Sequence, residues 1–187
     1  MHLKAFTAAL LACVTLAVQV MPAQASSMPK ADQTTHSISL GTAPSLALDF
    51  AFTPEASVGL ALAMPFYFGS FGFVRYDLRG GYTLLHQGPL TVRGLVGFYG
   101  DVAVIGDQSI QLAPFGFEAG LGLSYRFLSW FTGRLNIAAG IGFPRSTGLG
   151  LFPPIGGIEL AFQPYQHFEA SVGFNGNGDI LSLRYLF

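Results

Sequence analysis

The sequence predicts an all-β fold, an antiparallel up-and-down transmembrane β-barrel placed after an N-terminal export signal. Three observations predict it. From about residue 36 onward, apolar residues alternate with small or polar ones at period 2, the mark of strands with two unlike faces. Only 10% of the 187 residues are charged while 51% are hydrophobic, against a charge content of roughly 25% in soluble domains. Finally, 24 glycines and the absence of a second long apolar run argue against a helical membrane protein. The formal net charge is −1 with no basic cluster, which removes nucleic acid as a partner.

The first element is the export signal. Lys4 precedes an apolar stretch from Ala5 to Met21, followed by Pro22-Ala23-Gln24-Ala25-Ser26. A basic start, an apolar core and a small-x-small site make residues 1–25 a signal peptide, with cleavage expected after Ala25. A membrane anchor fits less well, because the run is short and lacks a basic stop-transfer flank. Leu10-Leu11-Ala12-Cys13 resembles a lipoprotein box, but leaves few residues after Lys4 and strands the apolar residues beyond it. Cys13 is the one cysteine, so the mature chain has neither a disulfide nor a thiol nucleophile. Residues 26–35 read as a flexible periplasmic segment and residues 36–187 as the barrel domain.

The strands follow in order. His36–Leu40 and Ser45–Phe52 are split by the turn residues around Pro44. Ser57–Phe68 comes next, then Phe71–Leu85, with Val74, Tyr76, Leu78, Tyr82 and Leu84 opposed to Arg75, Asp77, Arg79 and Thr83. Leu90–Ile105 opposes Val92, Val96, Phe98 and Val102 to Arg93, Tyr99 and Asp101. Leu112–Phe127 carries Glu118, Gly120, Gly122 and Arg126 on its minor face, and Gly133–Pro144 carries Arg134, Asn136 and Gly140. Ile155–Phe162, His167–Asn175 and Asp179–Phe187 close the series, the last two joined by an Asn-Gly-Asn-Gly turn.

Alternation alone does not say which face is inside; a lipocalin-like soluble barrel hides its apolar face, and a membrane barrel turns it to lipid. The minor face here is mostly Gly, Ala and Ser with few charges, a poor exterior for a soluble protein. Aromatic residues also gather at both ends of the strands. Phe127, Trp130, Phe131, Tyr165 and Phe168 mark one end; Phe66, Phe98, Phe115, Phe143 and Phe174 mark the other. Two girdles fit two lipid–water interfaces.

The final segment adds a resemblance. Leu181, Leu183, Tyr185 and the terminal Phe187 stand at every second place, and the stretch resembles the closing strand of bacterial outer-membrane β-barrel proteins. That resemblance implies residence in the outer membrane of a Gram-negative-type envelope. It also implies recognition by the barrel-assembly machinery through those four residues, and outer-membrane lipid around the barrel.

Strand length and even parity favour ten strands, with eight as the alternative if an early hairpin stays outside the membrane. Both termini then face the periplasm. The loops near 42–44, 68–70, 106–109, 145–154 and 175–178 face outward and are short, leaving no room for a large receptor, adhesin or lid.

The inward phase collects a charge network: Arg75, Arg79, Arg93, Arg126, Arg134 and Arg184 against Asp49, Asp77, Asp101, Glu118, Glu159 and Glu169. Its signs balance, which favours an ion-paired plug over a one-signed selectivity ring in an open pore. Glycines and alanines of the second half, among them Gly116, Gly120, Gly140 and Gly142, leave a wall able to receive bulky Arg and Tyr side chains from the opposite side or to line a slender cavity.

No catalytic constellation emerges. His36, His86 and His167 map to the periplasmic ends, where none pairs with a rim Ser or Asp, and they lack metal-ligand spacing. Asp77 with Asp101 makes a carboxylate pair only if Arg75 and Arg79 do not bridge it. The expectation is therefore a non-enzymatic barrel without cofactor or metal. It has a structural role in the envelope or is a narrow channel for small solutes. The alternative is an outer-membrane enzyme acting on lipid or peptide through a site the sequence does not expose.

Overall fold

The computed structural model describes residues 30, 32, 34–42, 45–64, 73–103, 115–143, 150, 151, 155–174 and 180–187, with backbone alone at 73, 101, 103, 150, 151, 155, 156 and 174. The signal peptide, the expected loops near 68–70, 106–109 and 175–178, and the side chain of Asp101 lie outside the described residues. So do residues 145–149 and 152–154 of the longest expected loop.

The strands are β1 (Ser37–Gly41), β2 (Ser45–Ala51), β3 (Ala56–Ala63), β4 (Phe73–Gln87), β5 (Leu90–Ala103), β6 (Phe115–Leu128) and β7 (Phe131–Phe143). After them come β8 (Gly150–Leu151), β9 (Ile155–Tyr165), β10 (Phe168–Phe174) and β11 (Leu181–Leu186). Each barrel strand pairs antiparallel with the next; β7 pairs with β9, and β8 is a two-residue ribbon on the far end of β7. The circle closes where β1 meets β11, from Ser37 opposite Leu186 to Gly41 opposite Ser182. Ten strands form the barrel, as even parity favours, with β1 ending at Gly41 and β2 beginning at Ser45.

Local chemistry sets the turns at the end where β1 begins and β11 finishes. The Thr53 hydroxyl accepts hydrogen bonds from the amides of Glu55 and Ala56 at 3.2 and 3.0 Å, a side-chain turn between β2 and β3. Gly88, at φ 57, and Pro89 join β4 to β5; a positive φ at the first central place is what a type II′ hairpin gives to glycine.

Register shifts interrupt the alternation in the β4–β5, β6–β7 and β9–β10 pairings, the first of them within β4. The pairing slips between Thr83 and Leu85, and Leu84 and Leu85 consequently both face outward, exposed. An extra residue in one strand re-aims the side chains beyond it.

The barrel is apolar outside and charged inside. Leu60, Leu78, Val96, Phe117, Leu121, Ile137 and Leu183 are all exposed, whereas Arg75, Asp77, Arg93, Arg134 and Glu159 are each no more than 2% exposed. The buried apolar residues among those described are four alanines with Leu95 and Tyr99, so no large aliphatic core fills the interior. A soluble, lipocalin-like arrangement would have the opposite polarity.

Aromatic rings pack in a row at each rim. Phe98, Phe115 and Phe143 run around the loop end at centroid separations of 5.4 and 4.7 Å. Tyr125, Phe127, Phe131 and Phe162 run around the other end at 5.0, 5.3 and 5.0 Å. Phe66 and the side chain of Phe174 lie outside the described residues.

Candidate functional site

The interior holds two groups of charges, and one residue organises the larger. Arg134 on β7 sits opposite Glu159 of β9 in the register, and Glu169 on β10 sits opposite Arg184 of β11. The Arg134 guanidinium donates from Nη1 to Glu159 at 2.8 Å and to Glu169 at 2.9 Å, and from Nη2 to Glu169 at 2.6 Å. Its remaining edge donates from Nε and Nη2 to the two oxygens of Asp32 at 2.8 and 3.0 Å. A guanidinium has five N–H donors in a fixed fork, and here each has a carboxylate oxygen. Lys30 Nζ lies 2.6 Å from Glu159 Oε1, and Arg184 lies 3.5 Å from Glu169. Lys30, Arg134 and Arg184 thus balance Asp32, Glu159 and Glu169.

Asp32 precedes the first strand and is held in two opposed ways. Burial pushes its carboxyl up, but the charge and hydrogen bonds of Arg134, with Arg184 behind, outweigh burial and hold it well below the usual carboxylate range. Lys30 is buried as well, and with Asp49, Ser57, Arg79 and Arg93 it borders a cavity of about 10 Å³, on the scale of one water.

Glycines seat the large interior side chains. A Cβ on Gly81 would stand 2.5 Å from Arg93 Nε, and one on Gly97 would stand 2.7 Å from Glu118 Cγ. Asp49 lies in the same way over Gly59. Gly116 and Gly140 accept the ring of Tyr99, with hypothetical Cβ distances of 2.7 and 3.0 Å. In the glycine wall, Gly116 and Gly140 thus receive one bulky side chain, Tyr99, which comes from β5, one and two strands away, and not from the opposite side. Arg93 donates from Nη2 to Ser57 Oγ at 2.7 Å and to the Gly81 carbonyl at 3.1 Å, and the Ser37 hydroxyl donates to Asp49 at 3.4 Å.

The second group lies toward the loop end. Arg75 stands over the Tyr99 ring at 4.9 Å, and Arg79 Nε lies 3.3 Å from Asp77. Asp77 is thus bridged by the arginine two residues on, as its flanking arginines suggest. The backbone of Asp101 faces Arg75 in the β4–β5 register.

Arg126 differs from its expected place. It pairs with buried Thr132 and so keeps the inward phase, but it stands one residue from the register shift at the end of β6 and is exposed. His36, His86 and His167 are bound at strand ends. His36 Nδ1 accepts from the Ala51 amide at 3.2 Å, His86 Nδ1 lies 3.0 Å from Thr91 Oγ1, and His167 donates to the Leu186 carbonyl at 2.9 Å. Leu181, Leu183, Tyr185 and Phe187 share the exposed outer face at the closing seam.

Lys30 and Asp32 are the members that the alternation could not reveal, since they precede the first strand. A signal was present nonetheless. They are opposite charges two residues apart, and Lys30 is the one lysine after the apolar leader. Comparison of the chain with protein-family models and with curated proteins finds no match to either.

Proposed function

We propose that the chain is an integral outer-membrane protein with a non-enzymatic, structural role in the envelope, and that its lumen rests closed. The observation that carries this reading is the polarity of the barrel. An apolar belt between two aromatic rims surrounds an interior of ion pairs, the arrangement that a bilayer favours and bulk water does not. Closure follows from Arg134, which draws β7, β9, β10 and the segment before β1 onto one point.

The leader ending at Ala25 supplies export, and the exposed row Leu181, Leu183, Tyr185 and Phe187 supplies the surface that the barrel-assembly machinery would read. In this reading the end of the barrel where β1 begins and β11 finishes faces the periplasm.

The test is fractionation with gel mobility. The mature protein is expected to float with lipid vesicles and to migrate differently before and after boiling, because a closed barrel satisfies its strand edges internally and resists detergent. Recovery from the soluble periplasm without detergent would overturn the proposal. Turnover of radiolabelled phospholipid by the purified protein would overturn its non-enzymatic part.

A further inference from the structure

We infer that the segment carrying Lys30 and Asp32 is a releasable plug, and that its departure opens the lumen to small solutes. This rests on the membrane reading above and adds to it a regulated passage.

The placement of Lys30 is the first support. Its ammonium bonds Glu159 on β9 at 2.6 Å, while the same side chain borders a cavity with Asp49 of β2, Ser57 of β3, Arg79 of β4 and Arg93 of β5. In a ring ordered β1 to β7 and then β9 to β11, β9 and β3 are opposite walls. The Lys30 side chain therefore bridges the two walls.

Charge balance is the second support. Arg134 and Arg184 match Glu159 and Glu169 within the barrel itself, and the segment brings its own cation and anion. Its withdrawal leaves the wall neutral, with Glu159 and Glu169 still bonded to Arg134. An integral part of the wall would strand an unpaired charge on leaving, at a large desolvation cost. This segment takes its own pair away.

The third support is attachment. Among the described residues, Lys30 and Asp32 are anchored through their side chains, whereas the wall is held by backbone ladders all the way round. Side-chain anchors release without unzipping a strand.

The experiment uses the full chain and a Lys30→Ala/Asp32→Ala variant, each in planar bilayers and in detergent. Folding is read by heat-modifiable mobility, docking by amide exchange of the peptide spanning residues 30–35, and opening by conductance. The variant is expected to keep the gel shift, to exchange that peptide faster, and to spend at least about tenfold more time open, since it loses three charge-assisted hydrogen bonds and one alone is worth about that factor. A folded variant that conducts like the parent overturns the plug. Asp32→Asn, which keeps the shape and one accepting oxygen, is read in the same way if the double variant does not fold. Failure of both to fold overturns it too, because the segment is then part of the wall. A parent that never enters bilayers overturns the membrane reading instead, and amide exchange in detergent still decides whether the segment docks.

Discussion

Arg134 and Asp32 lie 102 residues apart in the chain and meet through two parallel hydrogen bonds of 2.8 and 3.0 Å. The pair ties the stretch before β1 to a guanidinium whose five N–H donors all meet carboxylate oxygens. Replacing Arg134 by Met leaves Glu159 and Glu169 facing each other without the guanidinium between them. Breaking a buried ion pair from one side costs about 3–5 kcal/mol. The temperature at which the unboiled gel form converts is expected to fall sharply for Arg134→Met. Arg134→Lys should fall less, since an ammonium keeps the charge but not the fork. Equal temperatures for all three proteins would refute the organising role given to Arg134.

Acid should loosen the segment, and the sign follows from Asp32. Its docked carboxyl lies well below the usual range because Arg134 and Arg184 outweigh its burial, while a released Asp has an ordinary value near 3.9. The groups around it are Arg134 of β7, Arg184 of β11, Glu169 of β10, Glu159 of β9 and Lys30 of its own segment. A depressed docked value favours docking fully above about pH 4 and progressively less as pH falls below it. Amide protection of residues 30–35, corrected for intrinsic exchange, is expected to be flat from about pH 5 to 8 and to decline below about pH 4. Asp32→Asn should show a shallower decline. Loss of protection already at neutral pH in the parent would contradict the assignment.

The fold was legible because a barrel wall writes its two faces into alternate residues. Leu121 beside Gly122, or Leu183 beside Arg184, declares outside and inside without any tertiary knowledge. Two features escaped that rule for physical reasons. Arg126 has the inward phase but stands at the end of β6, where phase no longer implies enclosure. Lys30 and Asp32 precede the first strand, so no period assigns them a face, and their place is set by long-range ion pairing. Balance of charge was readable as a sum; which carboxylate meets which arginine was not, since that depends on register between strands far apart in sequence.

Tyr99 and Gly116 give a steric prediction. A Cβ at Gly116 would stand 2.6 Å from the Ile141 carbonyl oxygen, 2.7 Å from Tyr99 Cζ and 2.9 Å from Gly142 Cα. Two of those neighbours are backbone and cannot swing aside, so Gly116→Ala forces the β6–β7 pair apart. Overpacking of this kind costs about 1–3 kcal/mol. Gly80→Ala is the control, because its Cβ would meet Val96 at an ordinary 3.7 Å. The gel-form conversion temperature should drop for Gly116→Ala and stay near the parent for Gly80→Ala. A drop of equal size in both would show that glycine replacement in a strand, and not the Tyr99 seat, sets the cost.

The two faces of β6 offer the test on which the membrane reading depends. Leu121 is 51% exposed on the outer surface, with Gly94 and Ile137 as its register partners, while Gly122 is buried between Arg93 and Asn136. Leu121→Arg places a cation on the outer belt midway between the aromatic rims, where lipid makes it costly by about 2–4 kcal/mol. Gly122→Ser adds a hydroxyl among polar neighbours able to accept or donate to it. The amount of vesicle-bound, heat-modifiable protein should therefore fall strongly for Leu121→Arg and little for Gly122→Ser. Water in place of lipid reverses the expectation, because an exposed Leu→Arg change on a soluble barrel is nearly neutral. Normal vesicle binding by Leu121→Arg would thus remove the bilayer from the account while leaving the ten-stranded fold intact. The outer face alone separates the two environments, since the interior ion pairs are the same in both.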